Sequence, residues 1–234
     1  MAKGRRAVVA IAGPSGIGKS ALVNEVQRSI VEHDGWFASG KQDQLRRHVP
    51  FSAHGDALGS VVQRILHEPA ASLEQWRQRL QHAVGRLGQA LIDQVPAAAP
   101  LLGPQKTLAT YGAQETENRL LLVMQRFISA LSSAQPLVLF LDDLQWSDAG
   151  TLKLIKNLAV DVQATAGLLL ALAYRDNEVH PGHPVKHLLN DLPEVVTLAV
   201  TPMTDEDVTH MVAETTGRSL HDARISGLGK KGLL

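Results

Sequence analysis

The chain of 234 residues contains no cysteine, which excludes disulfides and thiolate metal sites. It also has no net charge, because 23 Lys and Arg residues balance 23 Asp and Glu residues. This balance gives no electrostatic reason to expect nucleic acid as the main ligand, although it allows a local basic patch. The longest apolar runs, residues 137–141 and 168–173, are far shorter than the roughly 20 residues that a membrane-spanning helix needs. We therefore expect a soluble, cytoplasmic protein.

A glycine-rich segment near the start of the chain predicts a phosphate site. Residues 13–20, GPSGIGKS, match the P-loop pattern G-x-x-x-x-G-K-[ST] at every fixed position. The glycines let the backbone wrap phosphates closely and point its N–H groups at them. Lys19 can reach the β- and γ-phosphates, and the Ser20 hydroxyl suits a phosphate-bound Mg²⁺. The residues predicted to bind the nucleotide are Gly13, Pro14, Ser15, Gly16, Ile17, Gly18, Lys19, Ser20 and Ala21.

The flanks of this segment have the pattern that a P-loop requires. Residues 6–12, which are apolar after Arg6, are typical of a buried strand, and residues 20–31 have helical spacing. The apolar stripe of that helix is predicted to contain Leu22, Val23, Val26 and Ile30. Strand, glycine loop and helix in this order support a phosphate-binding role over an ordinary glycine-rich turn.

A second apolar run, residues 137–141, ends in Asp142 and Asp143. Such a run is typical of a parallel strand buried on both faces. Its two carboxylates fit the Walker B position of a P-loop enzyme, with Asp142 as a Mg²⁺ ligand and Asp143 as the group that orients or deprotonates the attacking water. Many hydrolysing P-loop proteins carry the longer Glu in the place of Asp143, so we expect slow hydrolysis.

A third apolar run, residues 167–173, leads to Arg175. Ligands of open α/β sheets bind at the carboxyl ends of the strands, so Arg175 is a candidate sensor of the γ-phosphate. The alternative is that Arg175 only pairs with Asp176 or Glu178 on the surface.

The remaining pattern alternates strands and helices. Further strands are predicted over residues 36–39, ended by Gly40, and 195–200. Helices are predicted over 51–66, over 72–92 with Ser72 as N-cap, over 148–160 with Asp148 as N-cap, and over 114–131, 183–192 and 202–212. Residues 41–50 and 95–104 are expected to be a loop and a connector, the latter packed on the core. This alternation predicts a three-layer α/β fold with a parallel sheet and helices on both faces.

Three segments together resemble the AAA-type ATPase module of STAND signalling proteins: GPSGIGKS at 13–20, LFLDDLQWSD at 139–148 and AYRDNE at 173–178. The resemblance is strongest to the ATPase region of large multidomain sensors, where this module lies between a serine/threonine-kinase-like domain and a GAF/histidine-kinase region. Residues 40–44, GKQDQ, resemble the family's G-K-F-D-Q, with Gln42 in place of the aromatic residue.

This resemblance implies an ASCE/AAA-like P-loop NTPase with the strand order 5-1-4-3-2. It implies ATP and ADP as nucleotides, Mg²⁺ as cofactor, and other signalling domains or proteins as partners. It also implies a switch that rests with ADP, is active with ATP and is reset by slow hydrolysis. Residue by residue, it gives phosphate and Mg²⁺ binding to Lys19 and Ser20, the Walker B role to Asp142, the base to Asp143 and the sensor to Arg175.

We therefore expect an ATPase domain over residues 1–203 and the start of an incomplete helical lid over 204–234, whose tail, residues 225–234, has no helical period. Two other functions stay open. A nucleotide or small-molecule kinase would need an arginine-rich lid, and no arginine cluster follows residue 160. A scaffold that holds ATP without hydrolysing it would bind nucleotide but release no phosphate.

Overall fold

The computed structural model describes residues 7–46, 50–106, 112–161 and 166–217. The strands are β1 (Ala7–Ala12), β2 (Trp36–Lys41), β3 (Leu137–Asp142), β4 (Leu168–Tyr174) and β5 (Val195–Ala199). The helices are α1 (Lys19–Glu32), α2 (Ser52–Leu66), α3 (Ala70–Val84), α4 (Gly88–Gln94), α5 (Ala99–Leu102), α6 (Ala113–Ala134), α7 (Ala149–Val160), α8 (Pro184–Asp191) and α9 (Asp205–Thr216). The chain forms two compact units, residues 1–199 and 200–234.

The first unit is a P-loop NTPase fold built on one parallel sheet. Its strand order is β2-β3-β4-β1-β5, which confirms the predicted order 5-1-4-3-2. Lys41 pairs with Asp142 across β2 and β3, and Ala12 pairs with Tyr174 across β1 and β4. This register brings the carboxyl ends of the central strands to one edge of the sheet, where the P-loop follows β1.

The main core lies on one face of this sheet. Alternate residues of the central strands, such as Leu139 and Leu170, are buried there against apolar residues of the helices, such as Leu58, Phe127 and Ile155. Every residue of the predicted run 137–141 is buried, as expected for a strand with both faces covered.

The opposite face is covered less completely. In the predicted stripe of α1, only Val23 is buried, whereas Leu22 is 44% exposed and Val26 is 39% exposed. The edge strand β5 likewise leaves Val196 and Leu198 largely exposed. The helical spacing of α1 therefore predicted the helix correctly but overstated how much of its stripe is buried.

The prediction that β2 is ended by Gly40 is wrong, because the strand includes Gly40 and continues to Lys41. A Cβ atom at Gly40 would collide with the backbone carbonyl of Ala53 in α2. Glycine at this position therefore allows α2 to approach β2 closely, which is a known reason for glycine inside a strand.

The predicted helix over 72–92 is wrong at its start and in its continuity. It begins at Ala70 after Pro69, and Ser72 lies inside its first turn and is not the N-cap. It breaks at Gly85, which has φ 53°, and a short 3₁₀ turn then leads to α4. The connector over 95–104 contains a 3₁₀ turn and α5, and its residues Val95 and Leu101 are fully buried.

The N-terminus of α7 is as predicted. The side chain of Asp148 caps this helix by accepting a hydrogen bond of 2.9 Å from the backbone N–H of Thr151.

The described part of the second unit contains α9, which begins with a capping box formed by Thr204 and Asp207 and runs to Thr216, beyond the predicted end. The tail over 225–234, like Arg6 of the first predicted strand, lies outside the described residues. The division into domains at 203 and 204 stays a prediction. Among the helices that the structure describes, none is long and apolar enough to cross a bilayer.

Candidate functional site

The P-loop joins β1 to α1 and depends on two glycines with left-handed backbone. Gly16 has φ 77° and Gly18, the N-cap of α1, has φ 104°. A Cβ atom at either position would meet no other atom within 4 Å. Glycine is therefore favoured here by the backbone conformation rather than by crowding, and the space beside the loop is open to a ligand.

Lys19 is buried, and its ammonium is held by its own loop. Its Nζ donates hydrogen bonds of 2.8 Å to the carbonyl oxygens of Gly13 and Pro14. These two bonds hold the ammonium group of Lys19 beside the pocket that this residue lines, and its contact with phosphate stays a prediction.

Ser20 and Asp142 meet across 122 positions of sequence. The Ser20 Oγ donates to Oδ2 of Asp142 over 2.9 Å, and Oδ1 of Asp142 accepts from the N–H of Asp143. A hydroxyl and a carboxylate side by side are hard oxygen donors of the kind that Mg²⁺ takes in phosphate sites. The residues present thus fit the predicted metal.

Asp143 is a buried acid with several donors around it. Gln145 Nε2 and Arg175 Nε donate to its Oδ1 over 2.9 and 3.0 Å, and Lys41 Nζ lies 3.3 Å from its Oδ2. Its backbone is left-handed, with φ 52° and ψ 44°, a conformation that is uncommon for residues other than glycine. Burial alone would raise the pKa of Asp143, but the hydrogen bonds from Gln145, Arg175 and Lys41 outweigh it, so the pKa lies below its ordinary value.

Arg175 follows β4 and is fixed by four contacts. Besides Asp143, its guanidinium donates to Glu178 over 2.7 Å and lies 4.6 Å from the ring centroid of Trp146. Its backbone N–H donates to Oε1 of Gln145. Arg175 thus reaches the pocket and also pairs with Glu178, and its role as a sensor of the γ-phosphate stays a prediction.

These groups line one polar pocket of about 250 Å³. Its lining from the predicted set is Ser15, Gly16, Gly18, Lys19, Ser20, Ala21, Asp142, Asp143 and Arg175. Gly13, Pro14 and Ile17 do not line it, although the first two contact Lys19. The polar lining and the modest volume suit a chain of phosphates.

The sequence analysis gave no role to two residues of this site, Lys41 and Gln145. Lys41 lines the pocket, and Gln145 bridges Asp143 and Arg175. Extending β2 by two residues would have placed Lys41 at the carboxyl edge, beside Asp142. The only sequence signal for a role of Gln145 is its position two residues after Asp143.

Residues 1–171 match the model of the AAA ATPase domain. The chain belongs to that family. It is also 30% identical over 159 residues to hybrid signal transduction histidine kinase G of Dictyostelium discoideum, a match that covers 68% of this chain and 5% of that protein. The resemblance to a STAND-like AAA ATPase module, seen in the sequence motifs, is thereby confirmed.

Two solved structures resemble this AAA ATPase domain over most of its length. One is a STAND protein with a tetratricopeptide repeat sensor from Pyrococcus horikoshii, with 14% identity, a TM-score of 0.46, and coverage of 95% of this chain and 25% of that chain. The other is Cdc6p from Pyrobaculum aerophilum, with 12% identity, a TM-score of 0.47, and coverage of 92% of this chain and 44% of that chain. The chain spans only a small part of the curated relative and less than half of either structure.

Proposed function

We propose that this chain is a regulatory module that binds ATP with Mg²⁺, hydrolyses it slowly and acts as a nucleotide switch in signal transduction. The observation that supports this most is the single pocket in which the P-loop, the Ser20–Asp142 pair and the buried Asp143 meet. Membership of the AAA ATPase family supports nucleotide binding in general.

In this proposal, the P-loop binds the phosphates of ATP. Lys19 exchanges its hydrogen bonds to the Gly13 and Pro14 carbonyls for bonds to phosphate oxygens, which is favourable because an ammonium bonds a charged oxygen more strongly than a neutral carbonyl. Ser20 and Asp142 would hold Mg²⁺, which supplies positive charge to the β- and γ-phosphates.

Asp143 is proposed as the residue that orients or deprotonates the attacking water. A general base works best when its pKa lies near the working pH, whereas the pKa of Asp143 is lowered by the donors around it. Asp143 must also give up part of its contacts with Arg175 and Lys41 before it can accept a proton from water. Both features support slow hydrolysis.

The same contacts give the γ-phosphate a way to change the site. Arg175 and Lys41 line the phosphate pocket while they neutralise Asp143. The γ-phosphate of ATP competes with Asp143 for these two cations, and ADP has no such group. The ATP and ADP states are therefore proposed to differ in how Arg175 and Lys41 are paired, which is the basis of a switch.

We propose further that the output of this switch passes to other signalling domains or proteins of the cytoplasm. The histidine kinase relative supports a signalling context, because a nucleotide-binding module within such a protein is expected to regulate its neighbours.

Phosphate release and nucleotide binding, measured on the same preparation, test the proposal. We expect ATP binding with a turnover well below the roughly 10 s⁻¹ typical of enzymes. The Asp143→Asn variant is expected to bind ATP normally and to lose about a hundredfold in turnover, the lower range for removing a general base. Asp191→Asn, which changes a surface acid paired with Lys156, is the matched control.

The alternative functions give different results. Binding without any phosphate release would indicate a scaffold that holds ATP. Formation of ADP without free phosphate, in the presence of an acceptor, would indicate a kinase. A turnover near that of fast ATPases would contradict slow hydrolysis.

A further inference from the structure

A buried side-chain amide links the carboxyl ends of β3 and β4 beside the phosphate pocket. Gln145 is 4% exposed and lies in the 3₁₀ turn Leu144–Trp146 that follows Asp143. Its Nε2 donates to Oδ1 of Asp143 over 2.9 Å, and its Oε1 accepts from the backbone N–H of Arg175 over 3.1 Å. Both of these partners line the phosphate pocket, whereas Gln145 lies behind them.

The two partners fix the direction in which the amide of Gln145 points. An ionised carboxylate only accepts hydrogen bonds, and a backbone N–H only donates them. The NH₂ group must therefore face Asp143, and the carbonyl oxygen must face Arg175. Turning the amide over would leave both contacts unmade in a buried place, which is costly. Gln145 therefore contacts Asp143 in one defined geometry.

The anchor of this contact is backbone and does not depend on the guanidinium of Arg175. The N–H that bonds Gln145 follows directly after β4, whose last residue, Tyr174, pairs with Ala12 of β1. In the switch proposed above, the γ-phosphate draws the side chain of Arg175 away from Asp143. The backbone N–H stays at the end of its strand, and so does its bond to Gln145.

The donors around Asp143 are divided between its two oxygens. Gln145 and Nε of Arg175 donate to Oδ1, whereas Lys41 Nζ lies 3.3 Å from Oδ2. The contact of Arg175 Nη2 with Oδ2 is long, at 3.5 Å. When both cations turn to the γ-phosphate, Oδ1 keeps the neutral donor Gln145, and Oδ2 is left without a cation.

We propose that Gln145 is a positioning residue for hydrolysis, which holds Oδ1 of Asp143 so that Oδ2 accepts a proton from the attacking water. An O–H bond of the water breaks and its proton passes to Oδ2, while the water oxygen bonds the γ-phosphorus. The bond from that phosphorus to the β-phosphate oxygen breaks, and ADP leaves. A neutral donor suits this task because it orients the carboxylate without adding a charge that opposes protonation. The inference rests on the proposed function, in particular on Asp143 as the base.

Turnover and ATP affinity of Gln145→Met test this role. Met has a similar length but can neither donate to Asp143 nor accept from Arg175. We expect turnover to fall about tenfold to a hundredfold, as for a reacting group misplaced by about 1 Å, while ATP affinity stays that of the parent. Equal turnover in Gln145→Met and the parent would overturn the proposal.

Gln125→Met is the matched control for this variant. Gln125 also donates to an aspartate, Asp161, over 3.2 Å, and it lies outside the phosphate pocket. Its variant loses a Gln–Asp contact of the same kind and should keep the turnover of the parent. A loss equal to that in Gln145→Met would mean that the effect is not specific to the site, and the proposal would be wrong.

Gln145→Glu separates hydrogen bonding from packing. A protonated Glu has one O–H donor and one carbonyl acceptor, so it can replace both contacts of Gln145, whereas an ionised Glu has no donor. The charged groups around this position are Asp143, Arg175, Lys41 and Glu178. The adjoining Asp143 raises the pKa of the introduced acid. Turnover relative to the parent should therefore be near normal at about pH 5 and fall about tenfold by about pH 8, as for a lost bond to a charged group. A ratio that does not change with pH would contradict the proposal.

The same variant gives a readout without nucleotide. Because the folded chain raises the pKa of the introduced acid, its ionisation at high pH favours the unfolded chain. The melting temperature of Gln145→Glu should be close to that of the parent at about pH 5 and fall below it toward pH 8. Gln145→Met should differ from the parent by the same amount at both pH values. Parallel curves for Gln145→Glu and the parent would show that the amide does not face Asp143.

The variant Asp143→Asn distinguishes failure of this inference from failure of the proposed function. If Asp143→Asn loses turnover and Gln145→Met does not, only the positioning role is wrong. If Asp143→Asn turns over like the parent, or if the parent releases no phosphate, Asp143 is not a working base and both proposals are wrong.

Discussion

Arg175 and Asp143 are joined by a hydrogen bond of 3.0 Å between Nε and Oδ1, although they lie 32 positions apart in the sequence. They meet because each follows the end of one of two neighbouring parallel strands, β4 and β3. This contact puts the candidate sensor and the candidate base into one ion pair. Any group that attracts the guanidinium, such as a γ-phosphate, therefore also changes the surroundings of the acid.

The Arg175→Ala variant should distinguish ATP from ADP less well than the parent. A hydrogen bond to a charged group is worth about 1.5–3 kcal/mol, so ATP affinity should fall about tenfold to a hundredfold while ADP affinity changes little. Calorimetric titrations with both nucleotides measure this difference. Arg28→Ala, on the exposed side of α1 and paired with Glu25, is the control. An equal loss of ATP and ADP affinity would argue against a sensing role.

Lys41 should contribute long-range attraction for ATP. Its side chain is 67% exposed and lies beside the phosphate pocket, and interactions of exposed charges are screened by salt. Lys41→Met is therefore expected to weaken ATP binding at low salt and to make its affinity less dependent on ionic strength. Lys153→Met, which removes a surface lysine paired with Glu117, should leave both properties unchanged. An unaltered salt dependence in Lys41→Met would show that this lysine does not act on the nucleotide.

Gly40 and Gly59 should respond oppositely to alanine. At Gly40 the added Cβ atom collides with the Ala53 carbonyl, so Gly40→Ala should destabilise the fold by about 1–3 kcal/mol, as for other overpacked sites. Gly59 lies inside α2 with free space around it, so Gly59→Ala should stabilise by up to about 1 kcal/mol through helix propensity. Urea unfolding of both variants measures the two effects. A stabilised Gly40→Ala would mean that α2 does not pack closely on β2.

His54 should make the fold sensitive to acid. It is fully buried with both ring nitrogens unpaired among the described residues, and burial lowers its pKa from 6.5 to about 4 despite the nearby charge of Asp148. Between these two pH values the unfolded chain binds a proton that the folded chain does not, so stability falls as the pH falls. The shift corresponds to about 3 kcal/mol.

The matched variants for this prediction are His54→Leu and His67→Leu. In His54→Leu the fall in unfolding free energy between pH 6.5 and 4 should be about 3 kcal/mol smaller than in the parent. His67 is exposed at the carboxyl end of the same helix, opposite to His54, and its variant should follow the parent. Parallel curves for the parent and His54→Leu would contradict the assignment.

The sequence predicted the parts of this molecule whose pattern is local. The P-loop, the apolar strand before Asp142 and the N-cap at Asp148 each depend on a few neighbouring residues, and the structure has them as predicted. The strand order came from the family resemblance, since periodicity alone does not order strands.

What the sequence did not predict depends on contacts between distant segments. The sequence pattern predicts a strand end at Gly40, because the close contact of Gly40 with Ala53 forms only in the folded chain. Lys41 was missed for the same reason, since its partner Asp143 lies on another strand. The break at Gly85 depends on a left-handed backbone, which glycine permits but does not require.

Calorimetric titration of Mg-ATP into the parent chain and into Lys19→Ala tests the central claim most directly. The parent should bind ATP at one site, and Lys19→Ala should lose this binding while its circular dichroism and melting temperature stay close to those of the parent. If a folded parent binds no ATP, or if Lys19→Ala binds it equally well, the pocket between the P-loop and Asp142 is not a nucleotide site.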